Sequence, residues 1–100
     1  MVITKENFET EVKQSSIPVL IDVWAEWCVP CRLMLPIVEE IAKENEGKFK
    51  VGKINAEADP ELAEQLGVRS IPAFFVFKGG EVVKKNVGIQ TKDELLELVG

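Results

Sequence analysis

Val19-Leu20-Ile21-Asp22-Val23-Trp24-Ala25-Glu26-Trp27-Cys28-Val29-Pro30-Cys31-Arg32 decides how the chain is to be read. The segment opens as an apolar run, without the polar alternation of a half-exposed strand, and so predicts a strand covered on both faces. Beyond Cys31, the apolar residues Met34, Ile37, Val38, Ile41 and Ala42 follow helical spacing as far as Gly47, a residue suited to a helix C-terminus. Pro36 falls inside that helix and predicts a kink. The only two cysteines therefore stand where a strand gives way to a helix. At i and i+3 on a first turn they face the same way, close enough to form a small disulfide ring. The unpaired N–H groups and positive dipole end of the helix favour a thiolate on Cys28, while Cys31 sits one turn further in, nearer the core.

This placement favours redox chemistry over the alternatives. A structural disulfide spanning two residues closes almost no loop and constrains the unfolded chain little. A zinc or iron–sulfur site needs about four ligands, and the chain offers two cysteines and no histidine. The missing histidine also removes Cys/His and Ser/His/Asp catalysis. The formal charge of −5 argues against nucleic acid, which demands a basic footprint. No apolar run approaches membrane-spanning length, and the amino-terminal residues Met1 to Glu6 lack the apolar core of a secretory signal. One domain over 1–100, in the reducing cytosol, is the expectation.

Outward from the central segment, Val2 and Ile3 read as a short edge strand, and Thr4 as the N-cap of a helix carrying Phe8 and Val12. Phe49 to Asn55 reads as a strand, which closes a strand–helix–strand crossover with the cysteines at the carboxyl end of its first strand, where reaction sites of open α/β sheets gather. Asp59 caps a helix with Pro60 at its first position, and that helix runs through Leu62 and Leu66 to Gly67. Ala73–Lys78 and Glu81–Val87 flank Gly79-Gly80, a hairpin signal, and Thr91 to Glu94 has capping-box spacing before a last helix. The order βαβαβαββα predicts an α/β fold, a mixed sheet with helices on its faces.

Trp24 to Arg32, with Asp22 in the strand before and Ile71-Pro72 far downstream, closely resembles the thioredoxins. The resemblance extends from about Ile3 to Val99 and includes Lys53, Phe77-Lys78-Gly79-Gly80 and Val87-Gly88. It implies a thioredoxin fold, a five-stranded mixed sheet flanked by four helices, and reversible dithiol/disulfide exchange with protein substrates. Cys28 is then the attacking sulfur and Cys31 the resolving one, with Lys53, Pro30 and Pro72 in support. The partners implied are a thioredoxin reductase as electron donor and disulfide-containing proteins; no bound cofactor is needed, because the chain has no dinucleotide fingerprint. A monomer is expected. The rival readings are a carrier dedicated to a single reductase or substrate enzyme, and a binding module of the same fold whose cysteines are incidental.

Lowering a thiol pKa from 8.5 by about 1.5 units raises the thiolate fraction at pH 7 about 16-fold, while reduced nucleophilicity takes back about fivefold. The gain in attack is about threefold, so a depressed pKa matters as much for Cys28 as a leaving group. Arg32 adds a modest positive field. Asp22 is the anomaly of its strand. Desolvation is expected to raise its pKa towards neutrality, where it accepts a proton from Cys31 directly or through water; the structural alternative is a buried carboxylate satisfied by hydrogen bonds or paired with Lys53. The resemblance assigns this position proton transfer and sets the lysine nearby.

An X–Pro bond is cis in only about 6% of cases, so the residues alone predict trans for Ile71-Pro72, whereas the resemblance implies cis, facing the cysteines. The backbone of Ile71 would then pair with an extended substrate strand, inside an apolar rim of Trp27, Ile71, Pro72, Val87, Gly88 and Ile89. Plain core or surface roles remain open for Val87 and Ile89 individually.

Val29 stands where the family usually has glycine; a β-branched residue there stiffens the turn and places two methyl groups beside the attacking sulfur. Where this residue tunes redox poise, Val29→Gly is expected to move the equilibrium with a glutathione buffer measurably, about 30 mV corresponding to about 1.4 kcal/mol for a two-electron couple. Equal potentials in both proteins would make the departure neutral for redox poise.

Overall fold

The computed structural model describes residues 1–100. Strand β1 (Val19–Trp24) leads into helix α1 (Val29–Glu44), and strand β2 (Lys50–Asn55) returns parallel to β1, with Asp22 opposite Lys53. Helix α2 (Pro60–Gln65) follows, then strands β3 (Ala73–Lys78) and β4 (Glu81–Val87), and helix α3 (Lys92–Val99). The sheet order is β2-β1-β3-β4, with β3 antiparallel to both β1 and β4. This is the expected mixed α/β sheet with one strand fewer than five. The segment Val2-Ile3 contributes a single parallel bridge, Val2 to Lys53, although Ile3 N–H still donates to the Lys53 carbonyl at 2.8 Å. Beside it, the expected amino-terminal helix is a π-helical segment, Glu9–Lys13, so the fourth helix is not an α-helix. Thr4 nevertheless caps the turn that precedes it, accepting Glu6 N–H on its hydroxyl and Phe8 N–H on its carbonyl.

Two cores separate on the alternation of β1. Ile21 and Val23 face Ile3, Val12, Leu62, Phe75 and Phe77 on one side. Leu20 faces Met34, Val38 and Ile41 of α1 and Leu95 and Leu98 of α3 on the other, together with Phe74 and Val76. Covering both faces explains why β1 reads as a continuous apolar run. Asp22, two residues beyond Leu20, belongs to the side covered by α1.

The local signals decide most boundaries. Asp59 Oδ1 accepts Leu62 N–H with Pro60 at the first turn, and Thr91 and Glu94 close a reciprocal capping box. Helix α1 continues through Pro36, which withholds a donor from the ladder. Its end differs from expectation: Asn45 terminates it, donating both backbone N–H and side-chain Nδ2 to the Ile41 carbonyl at 3.1 and 2.8 Å, while Gly47 lies beyond with φ +85°. The side chain thus adds a second donor to a carbonyl that already holds the helix's last backbone bond.

The hairpin turn is tied to the π-helical segment. Gly79 and Gly80 both have positive φ, but a Cβ on Gly80 would lie 2.7 Å from the Lys13 carbonyl oxygen, whereas one on Gly79 meets open space. Gly80→Ala is therefore expected to cost about 2–4 kcal/mol and Gly79→Ala about 1 kcal/mol, measured by urea unfolding. Equal losses would show that the turn does not depend on the Lys13 contact.

Candidate active site

The first turn of α1 begins directly after β1, and the cysteines occupy its cap. Cys28 has extended backbone angles at the N-cap, and its sulfur accepts Cys31 N–H at 3.3 Å. The two cysteines form a disulfide with Cα atoms 5.2 Å apart. Cys28 retains 5% of its surface and Cys31 none, the asymmetry expected of an attacking and a resolving sulfur. No acidic residue lies in this turn to oppose negative charge on Cys28. Val29 and Pro30 fill the first two helical positions, where proline sacrifices no ladder bond. Val29 is exposed, as is Trp27 on the other side of Cys28 in the chain. Arg32 is also exposed, and its guanidinium donates to the Glu26 carbonyl at 3.4 Å, which holds the cation beside the turn.

Asp22 is fully buried, and neither carboxylate oxygen has a hydrogen-bond partner in the protein. Burial raises its pKa from the ordinary 3.8 to about 7, against an opposing pull from the Lys53 cation. No protein group thus satisfies the carboxylate by hydrogen bonding, and Lys53 acts on it through its field without a direct ion pair. The Lys53 ammonium, despite sharing Asp22's register, donates to Glu39 of α1 at 2.5 Å. That bond and the lysine's charge hold the Glu39 carboxyl below its usual range. Glu39 is a site neighbour that the sequence reading missed. Its only signal was its place about two to three turns beyond the cysteines on the helix that covers Asp22.

Of the downstream residues, Ile71 reaches the cysteines and Pro72 links it to the end of β4. The Ile71–Pro72 peptide is cis, as the family resemblance implied and against the expectation from the residues alone. Ile71 joins Trp24 in packing against the small cluster of Ala25, Cys28 and Cys31. Its carbonyl oxygen lies 3.9 Å from Cys28 Sγ, a proximity and not a hydrogen bond while the sulfur is in a disulfide. Neither the N–H nor the C=O of Ile71 takes part in a backbone hydrogen bond. Pro72 is buried, and its carbonyl accepts Gly88 N–H at 2.8 Å, which brings the end of β4 to the site. Val87 and Ile89 are exposed on either side of Gly88. Trp27 is exposed and lies in none of the apolar clusters. The main surface depressions lie along α1 by Pro36 and Glu39, beside α2, and between Arg69 and Val87, and neither cysteine lines any of them.

Comparison with known proteins agrees with this geometry. A family model described as Thioredoxin matches residues 1–100. A thioredoxin of Rickettsia bellii is 47% identical over 97 residues, covering 97% of this chain and 92% of that protein. Thioredoxin 1 of a Nostoc species is 48% identical over 93 residues, covering 93% of this chain and 87% of that protein. No helix is long and apolar enough to cross a membrane.

The raised pKa of Asp22 is a stability statement. Below about pH 4 the carboxyl is protonated in both native and unfolded chains and costs nothing extra. As pH rises from 4 to 7 the unfolded chain loses this proton while the native one keeps it, so stability falls, and the full loss is present above 7. A shift from 3.8 to about 7 corresponds to a loss on the order of 4 kcal/mol. Asp22→Asn is therefore expected to be the more stable protein at pH 8, with the advantage vanishing near pH 4, as measured by urea unfolding at both values. An advantage independent of pH would remove Asp22's titration as its cause.

Proposed function

The chain belongs to the thioredoxin family and is a thiol–disulfide oxidoreductase, and on that premise we propose how its residues divide the work of reducing protein disulfides. The observation that carries the assignment is Cys28 Sγ accepting the Cys31 N–H at the helix start, where a thiolate gains from both that bond and the dipole. The Cys28 thiolate attacks one sulfur of a substrate disulfide, forming a mixed disulfide and expelling the other sulfur as a thiolate that takes a proton from solvent. Cys31 then loses its proton to Asp22 and attacks Cys28 Sγ; the mixed disulfide breaks, the second substrate sulfur leaves, and the Cys28–Cys31 disulfide remains. Two electrons have passed to the substrate, and a thioredoxin reductase restores the dithiol.

Asp22 suits the second step because its pKa of about 7 lets it exchange a proton near neutral pH, and because nothing in the protein competes for its oxygens. Lys53, held by Glu39, supports it by moderating the penalty of its burial. Substrate docks as an extended strand on the unused N–H and C=O of Ile71, beside Pro72, with Trp27, Val87, Gly88 and Ile89 as the rim. The reading needs no bound cofactor, and it places the protein in the cytosol as a monomer. A carrier dedicated to one partner is the second reading, favoured by the exposed Val29 beside the attacking sulfur.

The test is covalent trapping. Cys31→Ser removes the resolving sulfur and keeps the helix N-cap, so it is expected to accumulate mixed disulfides with cytosolic proteins, seen as dithiothreitol-sensitive bands on non-reducing gels. Cys28→Ser, lacking the attacking sulfur, is expected to trap far fewer. Equal trapping by both variants would overturn the division of roles. No trapping by either, with partner binding intact in the parent protein, would leave a binding module.

A further inference from the structure

Gln90 is one of only two polar or charged residues buried in the molecule, the other being Asp22. It follows the exposed segment Val87-Gly88-Ile89 and spends its side chain on that segment. Nε2 donates to the Val87 carbonyl at 3.4 Å and to the Gly88 carbonyl at 3.2 Å, and Oε1 accepts from Asn86 Nδ2 at 3.3 Å. The orientation of the amide is fixed by this arrangement, because only the nitrogen end has donors to give two carbonyls. Gly88, with φ +96°, presents its own N–H in the opposite sense, to the Pro72 carbonyl at 2.8 Å. The loop is thus held from two sides, by Gln90 behind it and by the residue after Ile71 in front. Nothing else in the structure fixes both carbonyls, while Val87 and Ile89 keep more than half of their surface free.

We propose that Gln90 is a positioning residue for protein substrates: by clamping the Val87 and Gly88 carbonyls it sets the distance between the loop's apolar side chains and the extended strand docked on Ile71. The proposal rests on the reading of Ile71, Pro72 and the Val87–Ile89 loop as the docking rim. Gln90 touches neither sulfur and enters no step of exchange, so its effect falls on the affinity for an extended polypeptide and not on disulfide chemistry as such. A small disulfide without a peptide backbone has nothing to place against the loop, which separates the two.

Gln90→Met keeps the length and fill of the side chain while removing both donors, and Gln90→Glu replaces them with acceptors facing two carbonyls. In stopped-flow reduction of insulin followed by Trp fluorescence, the half-saturating insulin concentration is expected to rise about fivefold for Gln90→Met and more for Gln90→Glu. The ratio of the insulin rate to the rate with bis(2-hydroxyethyl) disulfide should fall by about the same factor. Amide exchange of Gly88, read by NMR on the same folded samples, should accelerate by about fivefold as the loop loosens. Unchanged Gly88 exchange and unchanged saturation would overturn the clamp and leave Gln90 a filler of space. Faster Gly88 exchange with unchanged saturation would overturn the proposal differently, by showing that the loop moves but does not bind substrate, and the docking rim would fall with it.

Discussion

One sulfur atom carries two obligations. Cys28 is the N-cap of α1, so the atom placed to attack a disulfide is also the acceptor that satisfies a helix N–H otherwise left without a partner. A serine or aspartate would cap as well, but neither exchanges with a disulfide. The position of that sulfur follows from β1, which is buried on both faces and ends at Trp24, four residues before the cap. The parallel crossover to β2 leaves α1 across one face, and the antiparallel β3 begins at Ala73, directly after the Ile71–Pro72 step. Sheet order alone therefore brings Cys28 and Ile71 together from positions far apart in the chain.

The same helix covers the least comfortable group in the molecule. A carboxylate without a hydrogen-bond partner opposes folding at neutral pH, and a nearby ammonium is the usual remedy. Here the ammonium is present but spent on Glu39 at the exposed rim of α1, where both members of the pair retain water. Such an arrangement moderates Asp22's burial penalty without abolishing it. A full ion pair would hold the group ionised far below pH 7 and weaken it as a proton acceptor, so the partial remedy fits the role proposed for Asp22 better than a complete one.

What the sequence made legible is what short-range chemistry controls. Asp59-Pro60, the Thr91–Glu94 box and Gly79-Gly80 each act within about four residues, and each appears where its spacing placed it. The apolar run of β1 was legible because burial on two faces leaves no polar position except Asp22. The unread features depend on partners distant in sequence. Val2-Ile3 pairs with the middle of β2 but is cut short by the turn at Thr4, and Asn45 closes on Ile41 through a side-chain bond that helical spacing does not encode. The family resemblance set Lys53 near Asp22, but its choice of Glu39 depends on which face of α1 meets the sheet. Gln90 carries no motif, and only its burial and its bonds to the preceding segment set it apart.

The shape of the site also bears on what it can recognise. A small-molecule enzyme surrounds its ligand with a concave apolar pocket. Around Cys28 there is instead a slightly exposed sulfur, the unused N–H and C=O of Ile71, and apolar side chains of Trp27, Val87 and Ile89 standing out from the surface. Two backbone groups accept any extended peptide regardless of its sequence, and a shallow rim adds affinity without demanding a particular side chain. Breadth of substrate then comes from main-chain pairing, and discrimination is left to the few side chains that border it. Val29 is the one among these that departs from the family's usual glycine, and it is exposed on the turn directly after Cys28. With substrate on Ile71 as proposed, a β-branched residue at that point would crowd approach from the helix end and leave the Ile71 side open, so its influence would fall on partners that contact the helix end as well as the strand.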